Sequence, residues 1–153
     1  MSNKRIGLIV LTEISQTGLV AVLRERSELC RITIHGKIEV DDSNFLAGLF
    51  RELIEELGCE FAVDITEMIK KNSAPFKNVF RNRRGDKDTA IFAIVVAPLL
   101  LEKIRLVPKS GSLRLISPNE ADQIVDTGNR VSKAIVMFPD EKQALIAAFK
   151  WAQ

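Results

Sequence analysis

Apolar and polar positions change their period several times along the chain, and each change marks an element. RIGLIVLTEI, from Arg5 to Ile14, is apolar and rich in β-branched residues, as a buried strand is. SQTG is a turn, and LVAVLRERS reads as the returning strand of a hairpin, with Gly18 absorbing the bend. In CRITIHGKIEV, Ile32 and Ile34 alternate inward with Arg31 and Thr33 outward, until Gly36 breaks the pattern. From Asp42 to Leu57 the period becomes helical. Phe45, Leu46, Leu49, Phe50, Leu53, Ile54 and Leu57 form a wide apolar stripe, Asp42 or Ser43 can cap it, and Gly58 stands where a helix stops.

Beyond the helix, CEFAVDITEMI reads as strand-like and KKNSAPFKNVFRNRRGDKD as a polar loop. TAIFAIVVAPLLL is a continuous apolar strand of the kind found inside a sheet. A long connection, EKIRLVPKSGS, leads to a short strand LRLIS. SPNEADQIVD has the marks of a capped helical turn: Ser117 as cap, Pro118 first in the helix, Glu120 completing a capping box. DEKQALIAAFKWA closes the chain as an amphipathic helix, with Leu145, Phe149 and Ala152 on the packed side. Strands and helices mixed in this order predict one three-layer α/β domain over residues 1–153.

Composition narrows the function more by exclusion than by assignment. Apolar residues at 46% and charged residues at 27% are an ordinary globular mixture. A net charge of +2 gives no global field for nucleic acid, which is an unfavoured partner. Two cysteines, Cys30 and Cys59, and one histidine make neither a disulfide framework nor a zinc site of usual form. The apolar run Ile6–Leu11 is too short for a membrane span and no cleavage site follows it, so the expected location is cytoplasmic, away from any membrane.

One stretch carries candidate chemistry. RELIEELGC, Arg51 to Cys59, places Glu52, Glu55 and Glu56 in one neighbourhood of the helix surface. Polar helix faces are commonly full of glutamates, and a solvated face is one reading. The other is a carboxylate cluster for a hard cation. Like charges at this spacing repel, and the helix C-terminus disfavours anions, whereas a divalent cation would turn both penalties into binding energy.

The stretch resembles the second half of the Nudix hydrolase box: Arg51, Glu52, an apolar residue, Glu55, Glu56, Gly58 and a final apolar position. The first half is recognisable in HGKIEVDD, where Gly36 opens the motif and Asp42 follows after five intervening residues. Three departures stand out: His35 replaces the first glycine of the usual pair, Asp42 replaces a glutamate, and eight residues rather than seven separate it from Arg51.

What the resemblance implies is a Nudix-like α/β/α sandwich, a mixed sheet between helices, that hydrolyses a diphosphate linkage with Mg²⁺, or Mn²⁺ in its place. Glu55 and Glu56 would be principal metal ligands, Glu52 a further ligand or the general base, and the Gly36 carbonyl another oxygen. Arg51 would hold Glu52, and Asp42 would fix Arg51, with Asp41 or Glu39 as substitutes. The implied partner is a small nucleotide-like molecule; a homodimer is compatible with the resemblance. A degenerate domain that binds such ligands as a sensor is the alternative, motivated by the altered first half of the motif. An RNA-directed role is the third reading.

For substrate contacts the candidates are His35, next to the motif, and Phe76, Arg81, Arg83 and Arg84, in a stretch that interleaves aromatic and basic residues. His35 bonding only to backbone, and phenylalanines that only fill the core edge, are the plainer readings. Pro75, sixteen residues after Cys59, weakly favours an ADP-ribose type of substrate by the same resemblance.

Overall fold

The computed structural model describes residues 3–27, 29–107, 110–127 and 135–153; Pro108 and Lys109 of the expected long connection lie outside them. Strand β1 (Lys4–Ile14) organises the fold. One edge pairs in parallel with β6 (Lys87–Val96) from Lys4 to Thr12. The other edge is shared: β4 (Ile34–Lys37) takes Arg5 to Leu8, and β2 (Gly18–Arg26) takes Val10 to Ile14. Both of these partners are antiparallel.

The strands β3 (Leu29–Arg31) and β4 therefore follow different neighbours, β3 continuing along β2 while β4 returns to β1. Thr33 sits at this fork. Its hydroxyl accepts from Val10 N–H at 2.9 Å and donates to the Val22 carbonyl, joining the two strands where they part. Thr33 is fully buried, contrary to the outward position expected from alternation. The chain steps from one strand to another there, so the period of two does not run through it.

The sheet has an apolar layer on each face, and parity along β1 separates them. Ile9 and Leu11 pack with Ala21, Leu23, Ile91 and Ala93 under the C-terminal helix, α4 (Pro139–Ala152). Leu8 and Val10 pack with Val22, Ile94 and Val96 under α1 (Phe45–Leu57). A second helix, α2 (Cys59–Lys71), and the 3-10 turn Pro98–Lys103 share this second layer. Helices thus cover both faces of a mixed, curled sheet, the α/β/α sandwich expected.

Three expectations fail here. The strand expected over TAIFAIVVAPLLL ends at Val96, because Pro98 opens the 3-10 turn Pro98–Lys103. CEFAVDITEMI is the helix α2, not a strand. Phe61, Ala62 and Ile65 bury one helical face, and Gly58, at φ 96°, ends α1 and starts α2 within one residue. The β-branched Val63, Ile65 and Ile69 imitate a strand composition, but tertiary packing overrides such propensity. The presumed polar loop is β5 (Phe76–Arg84), an edge strand closed on β6 through Gly85 at φ 60°. Its charges suit an edge that must not pair with other chains.

The remaining elements are short. β7 (Ser112–Ile116) lies on β2, and α3 (Pro118–Asp122) has the expected capping box on Ser117 and Glu120. β8 (Val125–Asp126) and β9 (Val136–Met137) extend the sheet from β3. No helix among the described residues is long and apolar enough to cross a membrane.

Candidate active site

The site is built where the β4 loop meets α1. Asn44, rather than Asp42 or Ser43, caps α1, its side-chain oxygen accepting from Ala47 N–H at 2.9 Å. That frees Asp42 for another task. A tight turn bonds Asp42 N–H to the Glu39 carbonyl and Glu39 N–H to the Asp42 carboxylate. The carboxylate then meets Arg51 in a two-point pair, Nε to Oδ1 at 3.1 Å and Nη2 to Oδ2 at 2.9 Å. This fork geometry is the strong form of such a bond. Gly48 lies beneath it, and a Cβ there would come within 3.0 Å of Asp42 Oδ2.

From this anchor Arg51 reaches onward. Nη2 also donates to the Lys37 carbonyl, and Nη1 donates to Glu52 Oε1 at 2.9 Å. Glu39 and Glu55 stand farther from Nη1, at 3.6 and 3.7 Å, while Asp41 is exposed. Bonding to Asp42 first, and to Glu52, holds the guanidinium above its already high range; the same contact lowers the Asp42 carboxyl.

Glu52 is buried, and its carboxylate fills the space over Gly36, where any Cβ would overlap it. Burial raises its pKa, against the opposing pull of Arg51. Glu55, one helical turn from Arg51, is 56% exposed. Glu56 turns the other way, its Oε2 accepting from Arg24 Nη1 at 2.9 Å and from the Ser110 hydroxyl at 2.8 Å.

His35 stands between two cavities. One, of about 450 Å³, is walled by Arg24, Arg31, Glu56 and Ser110. The other, of about 470 Å³, runs past Gly36 to Arg5, Lys87, Phe138 and Glu141. Both include His35 and Arg31 in their walls. Burial first, then the charges of Arg31 and Arg24, push the imidazole down to about 4, so it is neutral at pH 7. A third hollow, of about 410 Å³ beside Phe50 and Val63, holds none of these groups.

Comparison with solved structures places this architecture. A protein of Listeria monocytogenes assigned to the NUDIX hydrolases superposes with a TM-score of 0.60 at 14% identity, over 97% of this chain and 93% of that one. A mutT/nudix family protein of Listeria innocua gives 0.57 at 16%, over 97% and 92%. The NUDIX domain of Shewanella oneidensis NrtR, solved with ADP-ribose, gives 0.56 at 11%, over 100% and 90%.

This chain has the Nudix fold.

No family model matches the sequence, and no curated protein matches it significantly. Within the Nudix fold the described structure brings Gly36, Asp42, Arg51 and Glu52 together and sets Glu55 and Glu56 on the same helix. Phe76, Arg83 and Arg84 are elsewhere, while Arg81 lines a separate cavity of about 380 Å³ that also includes Asp42 and Asn44. Phe76 stacks on Phe92, rings 7° from parallel and 5.2 Å apart, at the edge of the core. Arg81 and Arg83 pair with Asp88, and Arg84 approaches Asp140 at 4.0 Å. None of the four lines either cavity beside His35.

Sequence patterns missed Arg24, Ser110 and the Arg31–Glu141 pair. Arg31 meets Glu141 through Nε and Nη2, and Glu141 also accepts from Ile32 N–H at 3.0 Å, tying α4 to β3. Their separations in the chain run to 110 residues, beyond any local motif. A charged residue closing the apolar run VAVLR was the one available hint to Arg24.

Three carboxylates and a glycine backbone fit a hard divalent cation by donor chemistry. The empty Cβ position of Gly36, filled by the Glu52 carboxylate, supports that fit. Among the described residues, however, no three His, Cys, Asp or Glu side chains gather around one point. Glu52 is drawn to Arg51 and Glu56 to Arg24.

Proposed function

We propose that the protein is a Mg²⁺-dependent hydrolase of a diphosphate linkage in a nucleoside diphosphate derivative or nucleoside triphosphate. The observation that carries this reading is the chain Asp42–Arg51–Glu52, intact despite the inserted residue. A helix that served only for packing would have no need of a buried glutamate held over a glycine by an anchored arginine.

In this reading Glu55, Glu56 and the Gly36 carbonyl would hold the ion, with Glu52 a further ligand or the general base. Mg²⁺, or Mn²⁺ in its place, would supply charge neutralisation at phosphate oxygens and activation of water. Arg51 fixes Glu52 through Oε1, which leaves Oε2 for the ion or for a proton; burial raises this carboxyl, the direction that favours proton uptake. Neutral His35, facing both cavities, donates or accepts a hydrogen bond where the phosphates would pass. Arg31 and Arg24 bring positive charge to the same place, and the Phe138 ring, with the Arg31 guanidinium 4.7 Å from its centroid, lines the far cavity. An ADP-ribose type of substrate is weakly favoured, in keeping with the ligand of the Shewanella domain.

A second reading, a ligand-binding domain without hydrolysis, draws on the Arg24–Glu56 pair, which engages a would-be metal ligand. Hydrolysis of a panel of nucleoside diphosphate derivatives and nucleoside triphosphates in millimolar Mg²⁺, wild type beside Glu52→Gln, separates the two. Turnover lost in the variant supports the enzyme. No turnover in wild type, with the same compounds still raising Tm, overturns it in favour of the binding domain.

A further inference from the structure

The sheet register gathers arginines. Arg24 and Arg26, two residues apart, share one face of β2, and Arg31 of β3 stands directly across the antiparallel ladder from Arg24. Like charges placed opposite one another cost stability. Burial adds to that cost, since the Arg24 side chain is 7% exposed and its Nε is buried without a hydrogen-bond partner. The three arginines wall the cavity of about 450 Å³ together with His35, Glu56 and Ser110. Among the described wall residues Glu56 is the one acid, and its Oε2 is already covered by Arg24 Nη1 and the Ser110 hydroxyl. Arg31 grips Glu141 through Nε and Nη2, and Arg24 meets Glu56 through Nη1, so each guanidinium keeps N–H groups that its carboxylate does not take. His35 feels the resulting field. Beyond burial, the largest influence on it, Arg31, Arg24 and Arg5 disfavour its proton and Glu56 opposes them.

We propose that this cavity seats a phosphate group of the protein's ligand directly on arginine side chains, with no metal ion between them. The seat requires neither an ion nor hydrolysis, so it stands apart from the hydrolase reading. A guanidinium presents planar, paired N–H donors that match phosphate oxygens, and it gives up its water more readily than an ammonium does. A phosphate also supplies the negative charge that the register lacks, and it relieves the repulsion between Arg24 and Arg31. Arg26, exposed at the mouth, adds a screened attraction for the incoming anion. Past His35 the second cavity, of about 470 Å³, has room for the rest of the ligand. Arg31 belongs to both walls and lies 4.7 Å from the centroid of the Phe138 ring. Neutral His35 stands at the join with one N–H donor and one ring acceptor. The ligand class is therefore a phosphate-terminated molecule, its end group among the arginines and its body beyond His35.

The test is calorimetric titration of the full chain with pyrophosphate and with ADP, in EDTA to remove divalent ions. Both compounds are expected to bind wild type. Arg24→Met, which keeps length and removes charge, is expected to weaken both by about tenfold or more, as the loss of charge-assisted bonds does. Ser27→Asp sets a carboxylate in the same wall and is expected to weaken both by about tenfold through repulsion. Ser27 has φ 57°, which aspartate tolerates, so this variant decides should Arg24→Met fail to fold. Lys71→Gln removes an exposed charge from the end of α2 and is expected to leave both affinities unchanged. No binding of pyrophosphate to wild type in EDTA overturns the proposal. A loss in Lys71→Gln as large as in the cavity variants also overturns it, because it marks a general charge effect. Binding of ADP without pyrophosphate overturns it as well, since the nucleoside is then what is recognised. Hydrolysis in Mg²⁺ is read separately: turnover without binding in EDTA leaves the hydrolase reading alone, and binding without turnover leaves the phosphate seat alone.

Discussion

The Asp42 carboxylate grips Arg51 across nine residues by two parallel bonds of 3.1 and 2.9 Å, in a chain whose spacing between them is one residue too long for the resembled motif. The turn from Glu39 to Asp42 and the absence of a side chain at Gly48 bring the shorter acid within reach.

Asp42→Asn keeps the shape and removes the charge. The expected outcome is a fall in diphosphate hydrolysis of about 10–100-fold, the usual effect of losing a group that orients a ligand. The Arg51 contact holds the Asp42 carboxyl below its ordinary value of 3.8. A depressed acid stabilises the fold above that value and loses the contribution as pH falls through its folded pKa. Denaturant melts of wild type between pH 5 and pH 2 therefore lose a share of stability that Asp42→Asn lacks from the start.

Gly36→Ala is expected to damage activity far more than fold. The new Cβ would overlap the Glu52 carboxylate and push it off its place. A displacement of about 1 Å costs on the order of 10²-fold in rate. Gly18→Ala provides the comparison. Gly18 has φ 77° with open space around it, so its substitution strains the backbone and costs about 1 kcal/mol of stability without changing turnover. Kinetics and melts of the two variants test the contrast.

The two thiols are expected to differ in reactivity. Cys59 is exposed, whereas Cys30 is buried, and burial, then the charge of Glu25, raises its thiol to about 11. At pH 8 iodoacetamide should label Cys59 alone in the native protein and both after denaturation. The stability gained by keeping Cys30 neutral is complete below its ordinary value of 9.0 and is lost as pH rises through about 11. Equal native labelling of both cysteines would contradict the burial.

Phe61→Ala tests α2 as a packed helix. Phe61 is fully buried among Leu53, Leu57 and Ile65, and its truncation is expected to cost about 3–5 kcal/mol. Val63→Ala, on the 44% exposed side of the same helix, should cost under about 1 kcal/mol. A strand would bury alternate residues, Phe61 with Val63, and the two losses would be similar.

The sequence by itself determined the elements whose signals are local. The stripe from Phe45 to Leu57 made α1 legible, Gly58 its end, and Ser117, Pro118 and Glu120 the capped turn of α3. It also placed Glu52, Glu55 and Glu56 on one helix, because a spacing of three and four has one meaning there. Tertiary structure decided what depends on partners far along the chain. The helix α2 has the β-branched composition of a strand, and burial against α1 and the sheet settles it. The polar β5 is a strand because β6 offers it a ladder. Asp42 was legible as an acid near the right place, but whether it capped the helix or held Arg51 depended on how the Glu39 turn folded. Arg24 and Glu56 are 32 residues apart, and nothing local to either announces the other. A buried charge is tolerated only where another element delivers its counter-charge, and that meeting exists only once the sheet and helix have packed.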